Sequence, residues 1–199
     1  TVNANKEALA VELGIASDHI IIPHQIHEAA FRIVGPDFFS LKPSDRDMLL
    51  DGVDGIMTSE QGVCIGVSTA DCIPVLLYDA AHHAACAVHA GWRGTVQYIT
   101  MKAISEMRVA FGSDASELHV VIGPGISLES FEVGLEVYEE FAQAGFDMDK
   151  VARLYDKWHI DLPECNRQQL VASGVLAENI QMAGIDTFVA TDDFFSARR

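Results

Sequence analysis

Residues 68–95 read STADCIPVLLYDAAHHAACAVHAGWRGT, and the fold turns on them. Two very apolar runs, IPVLLYD and AACAVHA, are joined by AAHH. Short apolar runs bounded by turn residues read as buried strands. Side by side, they would bring Cys72 and His89 to one sheet edge. Arg93 follows in a Gly-rich turn. From Thr95 the period changes: Val96, Ile99, Ala103, Met107 and Ala110 repeat at helical spacing, and Gly112 stops the helix.

Working outward, residues 5–13 read as a short helix, with Leu9 and Leu13 on one face and Gly14 as the stop. HIIIPHQIH, residues 19–27, is β-branched and reads as a strand, with Pro23 favouring an edge or a bend. Residues 35–47, GPDFFSLKPSDRD, read as a loop, and two short strands follow at residues 55–58 and 63–68. Downstream come a buried strand at residues 118–123, a helix at 134–144, a helix capped by Asp161 running to about Ser173, and a last strand in IQMAGI. There is no internal repeat and no low-complexity linker. The mixture of strand pairs and helices indicates one α+β domain.

Length and composition agree. A chain of 199 residues, 49% hydrophobic, suits one domain with a sizeable core. A net charge of −16 repels phosphate backbones, which argues against nucleic acid as a partner, while a local Arg could still hold a small anion. No apolar run reaches the roughly 18 residues needed to span a bilayer, so no membrane partner is expected. TVNANKEALA lacks the pattern of a signal peptide, and without an initiator Met the natural chain is expected to begin earlier. Cys64, Cys72, Cys86 and Cys165 sit mostly in or beside core-like strands, which points to a reducing, cytoplasmic setting.

In AVHAGWRGT a strand meets a helix through a glycine turn. Such a junction aims free N–H groups at one spot, Gly91 and Gly94 permit close approach, and Arg93 adds a fork of donors suited to phosphate. An ordinary tight turn with a solvated Arg is the other reading. Cys72 and His89 taken singly read as structural. Together with His27 they form a candidate zinc set of two His and one Cys with an open fourth position, although the separations match no short metal motif. His82 and His83 are rival ligands in the connecting turn. His19, His24, His119 and His159 read as structural or surface residues. Gly123 and Gly125 in VVIGPGI offer amides to a ligand, or simply a turn forced by Pro124.

QIH, TADCIPVLLYD, AVHAGWRGT, IGPGIS with FEV, and FFSARR together resemble the YfiH-type laccase-domain family. That family was named polyphenol oxidase. It is now described as purine nucleoside phosphorylase with adenosine deaminase and methylthioadenosine phosphorylase activity. The resemblance implies a zinc site of His27, Cys72 and His89. It also implies a four-layer α/β/β/α sandwich similar to the catalytic domain of cytotoxic necrotising factor. On this basis residues 1–199 are expected to form a single laccase-like domain without the family's N-terminal segment. Glu28 stands where the family usually has Gly, and Asp186-Thr187 stands where it has a Cys-Thr pair.

Four functions are considered for these residues, the purine nucleoside and peptidoglycan-precursor substrates being what the resemblance implies. In phosphorolysis of a purine nucleoside, Arg93 and Gly94 would hold phosphate and His89 would help proton transfer. In deamination, zinc would activate a water for attack at purine C6. The H-x-E and P-C-x-x-C setting of known zinc base deaminases is absent, so Glu28 or Asp71 would carry the proton. Arg198 is a further candidate for the anion pocket. A Cys72–His89 amide hydrolase acting on peptidoglycan precursors is the second function. Copper-dependent phenol oxidation is the third. With eight His and no H-x-H pair the multicopper form is excluded, which leaves copper in the zinc pocket. A metal-stabilised binding protein is the fourth.

Overall fold

The structure is a computed structural model and describes residues 2–199. Its centre is the pair of strands anticipated above. In chain order the strands are β1 (Ile20–Ile21), β2 (Phe31–Ile33), β3 (Gly55–Thr58), β4 (Cys64–Ile65), β5 (Ile73–Asp79), β6 (Ala84–Ala90), β7 (His119–Ile122), β8 (Glu132–Val133), β9 (Ala152–Leu154), β10 (Trp158–Ile160) and β11 (Ile180–Met182). The helices are α1 (Val2–Leu13), α2 (Pro43–Leu50), α3 (Trp92–Val96), α4 (Ile99–Phe111), α5 (Leu135–Ala144), α6 (Met148–Val151) and α7 (Leu162–Ala172).

A six-stranded mixed sheet, ordered β11-β7-β5-β6-β3-β2, forms the platform. Along β5 the burial alternates: Ile73, Val75, Leu77 and Asp79 are buried, while Leu76 and Tyr78 on the other face are exposed. The buried set meets Ala103, Ile104 and Met107 of α4 and Leu170 of α7 in the larger of two apolar clusters. A three-stranded sheet, β8-β10-β9, and α5 complete that side. On the opposite face Ile56 and Ala87 pack with Ile21, Val34 and Phe38, beneath the parallel pair β1–β4. This is a mixed α+β single domain.

Register places the chemistry. β6 runs antiparallel to both β5 and β3, with Pro74 opposite His89 and Gly55 opposite Val88. β2 is parallel to β3. The starts of β2, β3 and β5 therefore share one end of the sheet with the finish of β6. Residues 26–28, Asp54, Cys72 and His89 all converge there.

Several expectations need correction. The run 19–27 is not one strand: Ile20–Ile21 pairs with β4, His24 makes an isolated parallel bridge to Asp51, and the chain then leaves to reach His27 at a left-handed φ of 66°. Residues 63–68 pair only at Cys64–Ile65, and the last strand stops at Met182. The expected loop 35–47 contains a 3-10 turn, Pro36–Ser40, and the start of α2, whose first residue is Pro43. A proline at the first helical position is tolerated because that N–H has no partner within the helix. The helix expected from Thr95 is two helices. Tyr98 breaks it at φ 59°, with its ring stacked on Phe146 and its hydroxyl donating to the Ala144 carbonyl. Leu9 and Leu13 of α1 are exposed, so only Ala10 anchors that helix among its described residues.

Candidate metal centre

Asp54 organises the end of the sheet. It is wholly buried just before β3, and its carboxylate accepts four N–H groups. The backbone amides of His27 and Glu28 donate at 2.9 Å each, and that of Ile26 at 3.3 Å. His89 Nδ1 donates at 2.7 Å. Burial alone would push this carboxyl up, but the His89 N–H and the three amides outweigh it and hold it below the ordinary range. Burial drives the His89 imidazolium down against the pull of Asp54, so a neutral ring with its Nδ1 hydrogen spent presents Nε2 as a lone pair. Sequence reading passed over Asp54. Within GVDG it looks like a turn residue, and only its place directly before a buried strand marks it.

His27, Cys72 and His89 come together as expected. Their ligand atoms all lie within 4.8 Å of one another, the one such group among the described residues. The two imidazole rings meet edge to face at 4.8 Å. Gly91 explains part of the fit, because a Cβ there would sit 3.2 Å from both Cys72 Sγ and His27 Cδ2. Two of the four non-glycine residues at positive φ among the described residues, His27 and Asp71, are a member of this group and the neighbour of another. Strained backbone of this kind collects where a fold positions reactive groups. One thiol and two imidazoles suit Zn²⁺ or a soft copper ion, and three protein donors leave a coordination position open.

A cavity of about 450 Å³ opens at these ligands, lined also by Pro23, His24, Gln25 and residues 68–70, with Ala197 from the far end of the chain. Burial and the nearby Asp71 and Asp54 carboxylates push the Cys72 thiol up to about 11. A bound divalent cation would reverse that tendency.

The remaining candidates are placed as follows. His82 and His83 lie at the opposite end of β5, roughly 20 Å away along a seven-residue strand, and His82 is bound to Asp79 at 2.7 Å. Both are thereby removed as rival ligands. Asp71 is buried and accepts from Thr187 Oγ1, Ser196 Oγ and the Arg198 amide, each at 2.9 Å. Its oxygens are committed to holding the C-terminal segment. Arg198 donates to the Glu132 carbonyl at 2.7 Å and covers the Phe131 ring. Glu28 is exposed beside His27. Arg93 is exposed, its guanidinium 4.4 Å from the centroid of the Trp92 ring and outside the cavity lining. Gly94 is buried, and a Cβ there would press on the Glu28 carbonyl at 2.9 Å, so its lack of a side chain serves packing. Gly125 serves similarly, against the Asp71 and Cys72 carbonyls. His24 lines the cavity with its Nδ1 2.6 Å from Asp51, a placement its exposed sequence context did not suggest.

A family model described as multi-copper polyphenol oxidoreductase laccase matches residues 1–199. A protein of Bacteroides thetaiotaomicron named purine nucleoside phosphorylase is 43% identical over 201 residues, which span 100% of this chain and 74% of that one. A protein named adenosine deaminase RL5, from an unknown prokaryotic organism, is 40% identical over 194 residues, covering 96% of this chain and 74% of its own. The crystal structure of the hypothetical protein YfiH from Bacillus licheniformis superposes with a TM-score of 0.88 at 26% identity, over 100% of this chain and 75% of that one. Matched in this way along its whole length, and with one end of its sheet built around a His–Cys–His group, the chain belongs to the multi-copper polyphenol oxidoreductase laccase family.

Proposed function

We propose that this protein is a purine nucleoside phosphorylase, acting on adenosine, inosine or methylthioadenosine, with adenosine deaminase activity at the same centre and zinc as its resident ion. One observation carries the reading. Three donors, two from loops and one from the end of β6, meet within 4.8 Å at the mouth of a cavity of about 450 Å³, a volume suited to a small organic ligand. Relatives named for these two activities support the choice of substrate.

Zinc held by His27, Cys72 and His89 would supply Lewis-acid polarisation of the substrate. With its Nδ1 hydrogen on Asp54 and its Nε2 toward the ion, His89 acts as a ligand in this reading and not as a proton shuttle. Asp71 is likewise occupied, so Glu28, exposed next to a ligand, is the better proton carrier. Phosphate falls to Arg93, two residues beyond Gly91, where a Cβ would crowd Cys72 and His27. Its exposed guanidinium can leave the Trp92 ring to meet an anion.

A cysteine nucleophile needs a depressed thiol pKa, and here it is raised to about 11, which disfavours the Cys–His hydrolase. Multicopper oxidation needs several metal groups, whereas one is present among the described residues. The β1–β4 pair lying over the large sheet supports the four-layer sandwich, and a likeness to cytotoxic necrotising factor would be one of fold and not of reaction. Four free cysteines fit a reducing, cytoplasmic setting.

Metal analysis of the purified protein should find one zinc per chain. Cys72→Ala and His89→Ala should each abolish phosphate-dependent release of base from inosine or adenosine, and Arg93→Ala should mainly raise KM for phosphate. Wild-type rates in all three variants would overturn the assignment.

A further inference from the structure

Two of the three ligands sit on loops rather than strands: His27 on the segment leaving Pro23, and Cys72 on the segment entering β5. The first loop is well held. His24 N–H donates to the Leu50 carbonyl, the His24 carbonyl accepts from Gly52 and Val53, and Asp54 grips residues 26–28. The second is held at its ends. Gly66 N–H donates to the Ile21 carbonyl, and the Asp71 carbonyl accepts from Ile126 N–H. Between those points the two loops are joined by one side chain. Gln25 Nε2 donates to the Ser68 carbonyl at 2.8 Å, and Ser68 N–H donates back to Gln25 Oε1 at 2.7 Å. The amide thus pairs with a backbone peptide as a neighbouring strand would, with donor and acceptor both satisfied. Gln25 lies two residues before His27 and Ser68 four before Cys72, and both line the cavity.

We propose that Gln25 is a positioning residue for the metal centre, its two-bond clamp on Ser68 setting the separation of the His27 and Cys72 loops. The proposal rests on the metal reading given above. Around a tetrahedral zinc, S and N donors stand about 3.3–3.6 Å apart. The three ligand atoms here lie within 4.8 Å of one another, so the spacing of the two loops sets whether His27 and Cys72 can reach one ion together. A clamp that already ties the two loops lowers the ordering cost of binding the ion. Without it the stretch between Gly66 and Asp71 loses its side-chain tie to the His27 loop.

The test uses the full chain and the metal alone. Gln25→Met keeps the side-chain length without the hydrogen bonds, and Gln25→Ala removes both. Cobalt(II) is titrated into metal-free protein while the thiolate-to-cobalt absorption is followed, zinc affinity is measured by competition with a chelator, and the metal-free melting temperature is recorded. Both variants should bind about tenfold more weakly, the scale of outer-shell substitutions, with a weakened or shifted cobalt band. The metal-free protein should melt within about 3 °C of wild type. Wild-type affinity and spectrum in both variants would overturn the proposal. So would a loss of affinity no larger than the destabilisation of the metal-free fold explains. A folded wild type that takes up neither ion would refute the metal centre itself, and this role with it, in the control arm alone.

Discussion

The β5–β6 hairpin and the loops at its open end are neighbours held together by different physics. In the hairpin the backbone does the holding: seven residue pairs run from Ile73 opposite Ala90 to Asp79 opposite Ala84, and the side chains need only be apolar and of suitable size. In the loops, carboxylates take over. Asp54 binds residues 26–28 and His89, Asp71 binds Thr187, Ser196 and Arg198, and Asp186 binds Ser127, Ser130 and Phe188. A ladder spreads its strength over many equivalent bonds. A carboxylate concentrates several bonds on one residue, so each such residue is a single point of failure.

Substitutions can separate the two modes. The largest effect should come from Asp54→Ala, which leaves four N–H donors, that of buried His89 among them, without their acceptor. A loss of about 3–5 kcal/mol in chemical denaturation is expected, together with metal affinity reduced roughly 10–100-fold. If metal affinity is untouched in the folded fraction, the carboxylate does not orient His89. Leu77→Ala, in the hairpin core, should cost about 3 kcal/mol through the cavity it leaves. Metal affinity of the folded protein should stay within about twofold of wild type, since the ladder is intact. A large loss there would show that the two regions are not separable.

Asp186→Asn should be mildest, about 1 kcal/mol at neutral pH. Burial raises that carboxyl, but the Ser130 and Ser127 hydroxyls and the Phe188 amide more than compensate and hold it below the ordinary range. Its contribution is therefore complete above the ordinary carboxylate range and is lost as pH falls through the lower folded value. Denaturation series across acid pH should show the wild-type advantage shrinking as the solution is acidified. An advantage independent of pH would rule the carboxylate out as its source.

The same division explains what could be read in advance. β5 and β6 were legible residue for residue, because long apolar runs have one satisfactory arrangement. α5 was legible as the helix at 134–144, and the start of α7 from Asp161, which accepts from the Glu164 amide. HIIIPHQIH misled because β-branched composition cannot reveal that the chain must leave the sheet to carry His27. The set His27, Cys72 and His89 was a candidate on residue types alone and drew its force from resemblance, since the spacing matches no local motif. Asp54 and Gln25 escaped notice because a residue whose partners lie 26–43 positions away has no local signature.

Ala197 closes one wall of the cavity and is held there by bonds from its neighbours to Asp71. On a translating ribosome that wall is made roughly 5–20 s after His89. For that interval the nascent chain carries a thiol and two imidazoles with one side of their enclosure missing. Ion capture during synthesis would then meet a more accessible centre than the finished protein offers, and the order of loading and closure becomes a matter of timing.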